Sequence, residues 1–270
     1  MRTKASHPVF ALELLGDAVQ SGYRARRPHL DAMPWGTLHL QDVSPETLLA
    51  CRRWWTEFAL QEYASAASQT RMLQLVLRAG APLDLSALLM ALPFDELVHT
   101  EMCALVIADL GGAIALQFDR AAMLGGAPEM TDAPLLDAAV AVARQLCVAE
   151  QCTLGTLHHR RKHAGNPLYE AVWGRMARDE GAHARGGWLL LNWAWPALRE
   201  QERVAVAEAG YATLGEVERA DSKAAELDDS AFHPLSVFGA AGRDAYLAAA
   251  AQARADATAL LERWVRTGDT

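Results

Sequence analysis

The chain has 270 residues, 51% of them hydrophobic, and a formal net charge of −8. That length and apolar content suffice to bury one sizeable core with appendages. The acidic balance argues against nucleic-acid binding through a broad basic surface.

The longest apolar run, Met102 to Leu116, is broken by Asp109, Gly111 and Gly112 and is too short to span a bilayer. No stretch near the start has the charge, apolar middle and cleavage site of a secretory signal, so a soluble, cytoplasmic protein is expected. Cys51, Cys103, Cys147 and Cys152 each sit in an apolar helical pattern without close pairing, and read as small buried hydrophobes.

No sustained alternation of apolar and polar residues suggests a sheet, so the chain reads as all-α. Residues 1–43, with Pro8, Pro28 and Pro34, read as an irregular N-terminal arm with one short helix near 8–21. A first long helix opens at Ser44-Pro45-Glu46, runs to Arg78 and stops at Gly80. A second runs from about Asp84 to Gly111-Gly112, kinked by Pro93. The connection 112–131 then has the length of a crossover between two helical hairpins.

The third helix is predicted from Thr131-Asp132 to His163. Its basic end, His158 to His163, reads as a solvated C-terminus complementing the helix dipole rather than as a metal or anion patch. The fourth opens at Asn166-Pro167 and runs to Trp195, with tight packing or a local bulge expected at Gly186-Gly187. Helices over about 197–227 and 242–266 complete the chain, as accessory elements of the same domain as the 44–195 bundle.

Two copies of one motif carry the chemistry: Asp95-Glu96-Leu97-Val98-His99 and Asp179-Glu180-Gly181-Ala182-His183. Glu and His three residues apart on a helix project from one face, so each motif offers a carboxylate and an imidazole to one point. Glu62 and Glu150, each followed by hydroxyl residues at the third and sixth positions, lie 34 and 30 residues before Glu96 and Glu180. That is the chain needed to traverse one helix, turn and return to the same level. Four converging carboxylates repel and are driven to protonate, whereas two divalent cations cancel their charge. Glu57 and Glu101 are rival acids, but each lies five positions from its neighbour in the set and reads as an outer-face charge.

With its ligand set in the order Glu, Glu-x-x-His, Glu, Glu-x-x-His, the chain resembles the ferritin-like di-iron carboxylate superfamily over residues 44–195. The resemblance implies a ferritin-like four-helix bundle with a crossover connection. In it Glu62 and His99 hold one metal, Glu150 and His183 the other, and Glu96 and Glu180 bridge the pair. These six are then the metal-binding and catalytic residues. Asp95 and Asp179 are expected to accept hydrogen bonds from the ligand imidazoles. Ser65, Ala66, Thr153 and Leu154, one turn beyond Glu62 and Glu150, are candidates to line a substrate pocket. The arylamine N-oxygenases of this superfamily carry a third histidine where this chain has Met176, which favours the hydroxylase, oxidase and desaturase side.

A carboxylate-rich set with two imidazoles favours iron or manganese over zinc or copper. The expected cofactors are two Fe (Fe2+/Fe3+), or Mn or mixed Mn/Fe, with O2 as co-substrate. The expected function is that of a non-haem di-iron oxygenase or oxidase acting on a small organic substrate by hydroxylation, N-oxygenation or desaturation-type oxidation. One alternative is metal or oxidant handling without an organic substrate, as a ferroxidase, peroxidase or manganese catalase. Another is an RNA hydroxylase or a non-enzymatic helical protein. The chain has no cysteine constellation for an iron–sulfur cluster and no nucleotide-binding glycine loop, so a separate electron donor or reductase is the expected partner. A homodimer is expected by analogy with the family alone.

Overall fold

Helix boundaries follow local chemistry. The Ser44 hydroxyl accepts a hydrogen bond from the Thr47 N–H at 3.2 Å, and the Asn166 side chain accepts one from the Tyr169 N–H at 2.8 Å. Each satisfies a donor that the first turn leaves unpaired, and the proline that follows has no N–H to lose.

The computed structural model describes residues 10–125, 128, 130–226 and 242–268, and is all-helical. The elements are α1 (Asp17–Arg26), α2 (Pro45–Arg78), α3 (Leu83–Met90), α4 (Leu92–Asp109), α5 (Arg120–Leu124) and α6 (Pro134–Val142). A π-helical segment (Ala143–Glu150) then leads into α7 (Gln151–Lys162), and α8 (Pro167–Ala194), α9 (Glu200–Ala225) and α10 (Arg243–Thr267) follow. No described helix is long and apolar enough to cross a membrane.

Several boundaries differ from the sequence expectation. The short N-terminal helix lies at 17–26 rather than 8–21, because Phe10 is held in irregular chain by its N–H bond to the Leu116 carbonyl and by packing on Phe118. Residues 8 and 9 of that predicted helix lie outside the described residues. Pro93 divides the second predicted helix into α3 and α4, with the break at Ala91, one turn before the first motif. The third begins at Pro134 rather than 131, since Thr131 and its hydroxyl are engaged by the Asp137 carboxylate. The last residue of the predicted 197–227 helix is outside the described set. All four cysteines are buried free thiols.

α2 packs along α4, and α7 along α8; α6 packs on α2, and the π segment on α8. The connection after α4 runs beside α2. Arg52 binds the Gly112 and Ala113 carbonyls, Arg71 the Leu124 carbonyl, and Arg78 the Thr131 carbonyl. These arginines come in the same order along α2 as their partners along the connection, so that segment parallels α2 and returns the chain to the level where α6 begins. α9 lies on α6 and the π segment, and α10 on α7 and α9. The N-terminal arm is pinned by Arg27, which pairs with Glu101 at 2.7 Å. Glu101 is therefore not an outer-face charge, because its carboxylate neutralises a buried guanidinium.

The apolar interior forms two clusters. One gathers Met72, Val76, Leu89, Val142, Leu146, Leu191 and Trp264. The other gathers Trp55, Met102, Val106, Tyr169, Trp173 and Met176, with the Trp55 and Trp173 rings stacked at 4.9 Å. Trp188 packs on Trp264 in the first cluster. Glu62, Gln69, Glu96, His99, Glu150, Asp179, Glu180 and His183 form a polar band across the interior.

Near that band, α8 passes through Gly186 and Gly187 without a bulge. The irregularity lies opposite, in the π segment, and a Cβ on Gly187 would stand 2.5 Å from the Leu146 Cβ. Gly187→Ala should therefore push α8 off the π segment and destabilise the fold by about 1–3 kcal/mol, read as a lowered denaturant midpoint.

Candidate metal centre

The centre is built by four helical segments. α2 contributes Glu62, α4 Glu96 and His99, the end of the π segment Glu150, and α8 Glu180 and His183. A π turn is wider than an α turn and is frequent at functional sites; here it sets the rotation at which Glu150 leaves the helix. Two overlapping groups result, Glu62, Glu96, His99 and Glu180, and Glu96, Glu150, Glu180 and His183, each with potential ligand atoms within 4.8 Å of one another.

Glu96 and Glu180 belong to both groups, and each turns one oxygen to either imidazole. Glu96 Oε2 lies 3.7 Å from His99 Nδ1 and its Oε1 3.5 Å from His183 Nδ1. Glu180 Oε1 lies 3.4 Å from His99 Nδ1 and its Oε2 2.9 Å from His183 Nδ1. Glu62 stands 3.4 Å from His99 Nδ1. Neither buried Nδ1, nor Glu180 Oε2, makes a well-angled hydrogen bond. Buried polar atoms that converge without partners fit a cation between them, and four carboxylates with two imidazoles are a donor set suited to iron or manganese.

The far sides of the rings face acids crosswise. Asp179, of the second motif, lies 3.1 Å from Nε2 of His99, of the first, in a hydrogen bond. Asp95, of the first, lies 3.5 Å from Nε2 of His183, of the second, without a well-angled hydrogen bond. Arg175 joins the two acids, donating to Asp179 at 2.5 Å and approaching Asp95 at 3.7 Å. Gln69 is buried between two acids and donates to Glu96 at 2.6 Å and to Glu150 at 2.9 Å. The expectation named neither residue. Both leave a spacing signal, however: Gln69 is seven positions, two turns, beyond Glu62, and Arg175 is four before Asp179.

Of the pocket candidates, Thr153 borders a cavity between α2 and α7, and Ser65, Ala66 and Leu154 are not among its walls. Leu154 instead packs over Gly181. Glu57 is exposed and outside both ligand groups.

Protons stand in for cations in the electrostatics of the chain alone. Burial, reinforced by Glu96 and opposed by His99, pushes the Glu62 carboxyl up to about 8. Burial and the charges of Glu180 and Glu96 push Glu150 well above the carboxylate range. Burial disfavours charge on His183, but Asp95 and Glu180 outweigh it and raise the imidazole to about 9. His99 is raised well above its ordinary value for the same reason, through Asp179, Glu180, Glu62 and Glu96. Burial would raise Glu180 and Asp179 too, yet hydrogen bonds from His183 and His99 to the first, and from His99 and Arg175 to the second, hold both low.

The sign of the pH dependence follows. Glu62, Glu150, His99 and His183 keep protons in the fold that the unfolded chain releases, so their stabilisation is present in acid and lost as pH rises through their folded values. Chelator-treated protein should thus melt at progressively lower temperature between about pH 6 and about pH 9. A divalent ion displaces those protons, so its binding tightens over the same range and should flatten or reverse the slope. Asp179→Ala, which frees the far side of His99, should weaken metal binding by about 10–100-fold, measured by competition with a chelating dye.

Comparison with family models, with curated proteins and with solved structures gave no match.

Proposed function

We propose that this chain is a ferritin-like four-helix bundle holding two iron ions, and that it is an O2-dependent oxidoreductase acting on a small organic substrate. The observation that carries the reading is the division of Glu96 and Glu180, each with one oxygen toward His99 and the other toward His183. Two carboxylates disposed in this way suit a pair of cations better than a single one. Glu62 with His99 would complete one position, and Glu150 with His183 the other.

Held by these six residues, a reduced iron pair would supply two electrons for O2 chemistry, the redox capacity that the side chains lack. The chain's own part is positional and electrostatic. Asp179 fixes the ring orientation of His99 through a hydrogen bond, and Asp95 sets a negative charge behind His183. Gln69 holds the Glu96 and Glu150 carboxylates on one side of the centre and leaves the other side without an equivalent amide. The two apolar clusters above and below exclude water, which strengthens every interaction among the ligands. α9, α10 and the N-terminal arm cover flanks that a bare four-helix bundle would expose, which supports an organic substrate over metal handling alone. Electrons would come from a separate donor protein.

Anaerobic titration with Fe(II) should bind about two ions per chain, and O2 uptake should follow. Replacement of either shared carboxylate, Glu96→Ala or Glu180→Ala, should abolish binding of the pair, whereas Glu62→Ala should leave one ion bound. Stoichiometric manganese with O2 evolution from peroxide would favour the catalase reading instead. Failure to bind either metal would remove the enzyme reading altogether.

A further inference from the structure

One turn from the centre, between α2 and α7, lies a cavity of about 320 Å3. Thr153 and Arg160 of α7 face Trp54 and Phe58 of α2 across it, and Tyr246 of α10 forms a third side. Phe58 precedes Glu62 by about one turn and Thr153 follows Glu150 by about one turn. The inner wall is therefore close to the level of those two carboxylates. The volume is at the low end for small-molecule sites, which run from about 300 Å3.

Arg160 sets the chemistry of this cavity. The sequence suggests a solvated residue of a basic helix end, but Arg160 is half-buried. Its guanidinium carbon lies 4.9 Å from the Trp54 ring centroid, 5.2 Å from that of Trp173 and 5.4 Å from that of Tyr246. Among the described residues, no carboxylate comes within the 4.0 Å of an ion pair with it. Burial lowers its basicity, while Tyr246 and, at longer range, Glu62 partly restore it. An arginine in this setting stays charged. The rings answer the faces of the guanidinium and the Tyr246 hydroxyl accepts a hydrogen bond from it, but its remaining N–H groups point outward in the plane and call for acceptors. Among the described residues Glu57 is the one acid on the cavity wall, and it is exposed and leans toward Arg53 at 3.9 Å.

We propose that this cavity is the substrate site, and that it takes a small monocarboxylic acid whose carboxylate lies on Arg160 and whose apolar body lies along Trp54 and Phe58. The proposal rests on the di-metal reading for the identity of the ligand as substrate. A guanidinium with no carboxylate partner among the described residues matches one negative charge, and its planar fork matches a carboxylate in two-point geometry. Ten residues separate Glu150 from Arg160, and the arginine side chain leans back toward the start of its helix. The ligand therefore spans on the order of 10 Å, the length of a six-carbon acid or of one ring with a short arm.

The test is calorimetric titration of the Mn(II)-loaded protein with phenylacetate and hexanoate, and with phenylacetamide and hexanamide as uncharged counterparts. The acids should bind saturably and the amides at least about tenfold more weakly. Arg160→Met should bring the acids down to the affinity of the amides without changing the metal content. Equal affinity for acids and amides, no binding of either acid, or unchanged acid binding in a folded Arg160→Met variant would overturn the proposal. Should that variant fail to fold, the comparison of acids with amides on the unaltered protein decides alone. Metal analysis of the same samples separates the two readings. Two metal ions without acid preference remove the substrate site alone; acid preference without stoichiometric metal keeps the anion site and removes the oxidoreductase.

Discussion

Six ionisable side chains withdrawn from water into one small volume are the constraint on which this structure turns. An uncompensated carboxylate in such a place costs several kcal/mol, and here four converge with two imidazoles. The chain answers with protons retained on Glu62, Glu150, His99 and His183, and with the Glu180 carboxylate held ionised between the rings. Gln69 ties two of the carboxylates together inside, and the partly exposed Arg175 carries the network toward the surface. A site this dependent on compensation is sensitive to the loss of any one member, and just as receptive to ions that replace several protons together.

Packing makes the convergence possible. Each helical pair brings its own half of the set to a common level, while the apolar clusters on both sides hold the four segments at fixed separation. The third segment has a further task, since it must present Glu150 inward while accepting α8, α9 and α10 on its other faces. Its π turns and the missing side chain of Gly187 are two halves of one adjustment: the wide turns swell the helix, and the glycine makes room. Gly155 does the same for α10, whose Ala253 would collide with a side chain there.

Much of this is legible in the residues alone, and for a physical reason. Helical periodicity ties Glu to His at three positions and one hairpin to the next at about thirty, so the members that converge are visible as spacing. The caps at Ser44 and Asn166 and the stop at Gly80 are equally local, which is why α2 and α8 begin where the sequence predicts. Interactions between distant segments leave no such mark. The partnership of Glu101 with Arg27, the bridging by Gln69 and the inward turn of Arg160 beneath three rings depend on which helices become neighbours. The π segment is invisible for another reason: Ala143 to Glu150 is an ordinary amphipathic helical sequence, and its wide turns are imposed by the packing around it.

The crosswise pairing of acids and imidazoles has a consequence for symmetry. Asp95 serves the histidine of the second motif and Asp179 that of the first, so neither half of the chain can finish its own centre. Reciprocal contact of this kind, one residue meeting its counterpart's partner and the reverse, is the signature of a twofold axis. A single hairpin bearing one Glu and one Asp-Glu-x-x-His would, as a dimer of two identical copies, generate all six converging groups and both crossed pairs. Joining the copies into one chain frees each half to diverge. The divergence is visible at Gln69, matched by Leu157, and at Arg175, matched by Ala91. One side of the centre has thereby gained an amide and one rim a cation, giving a twofold frame two unlike faces.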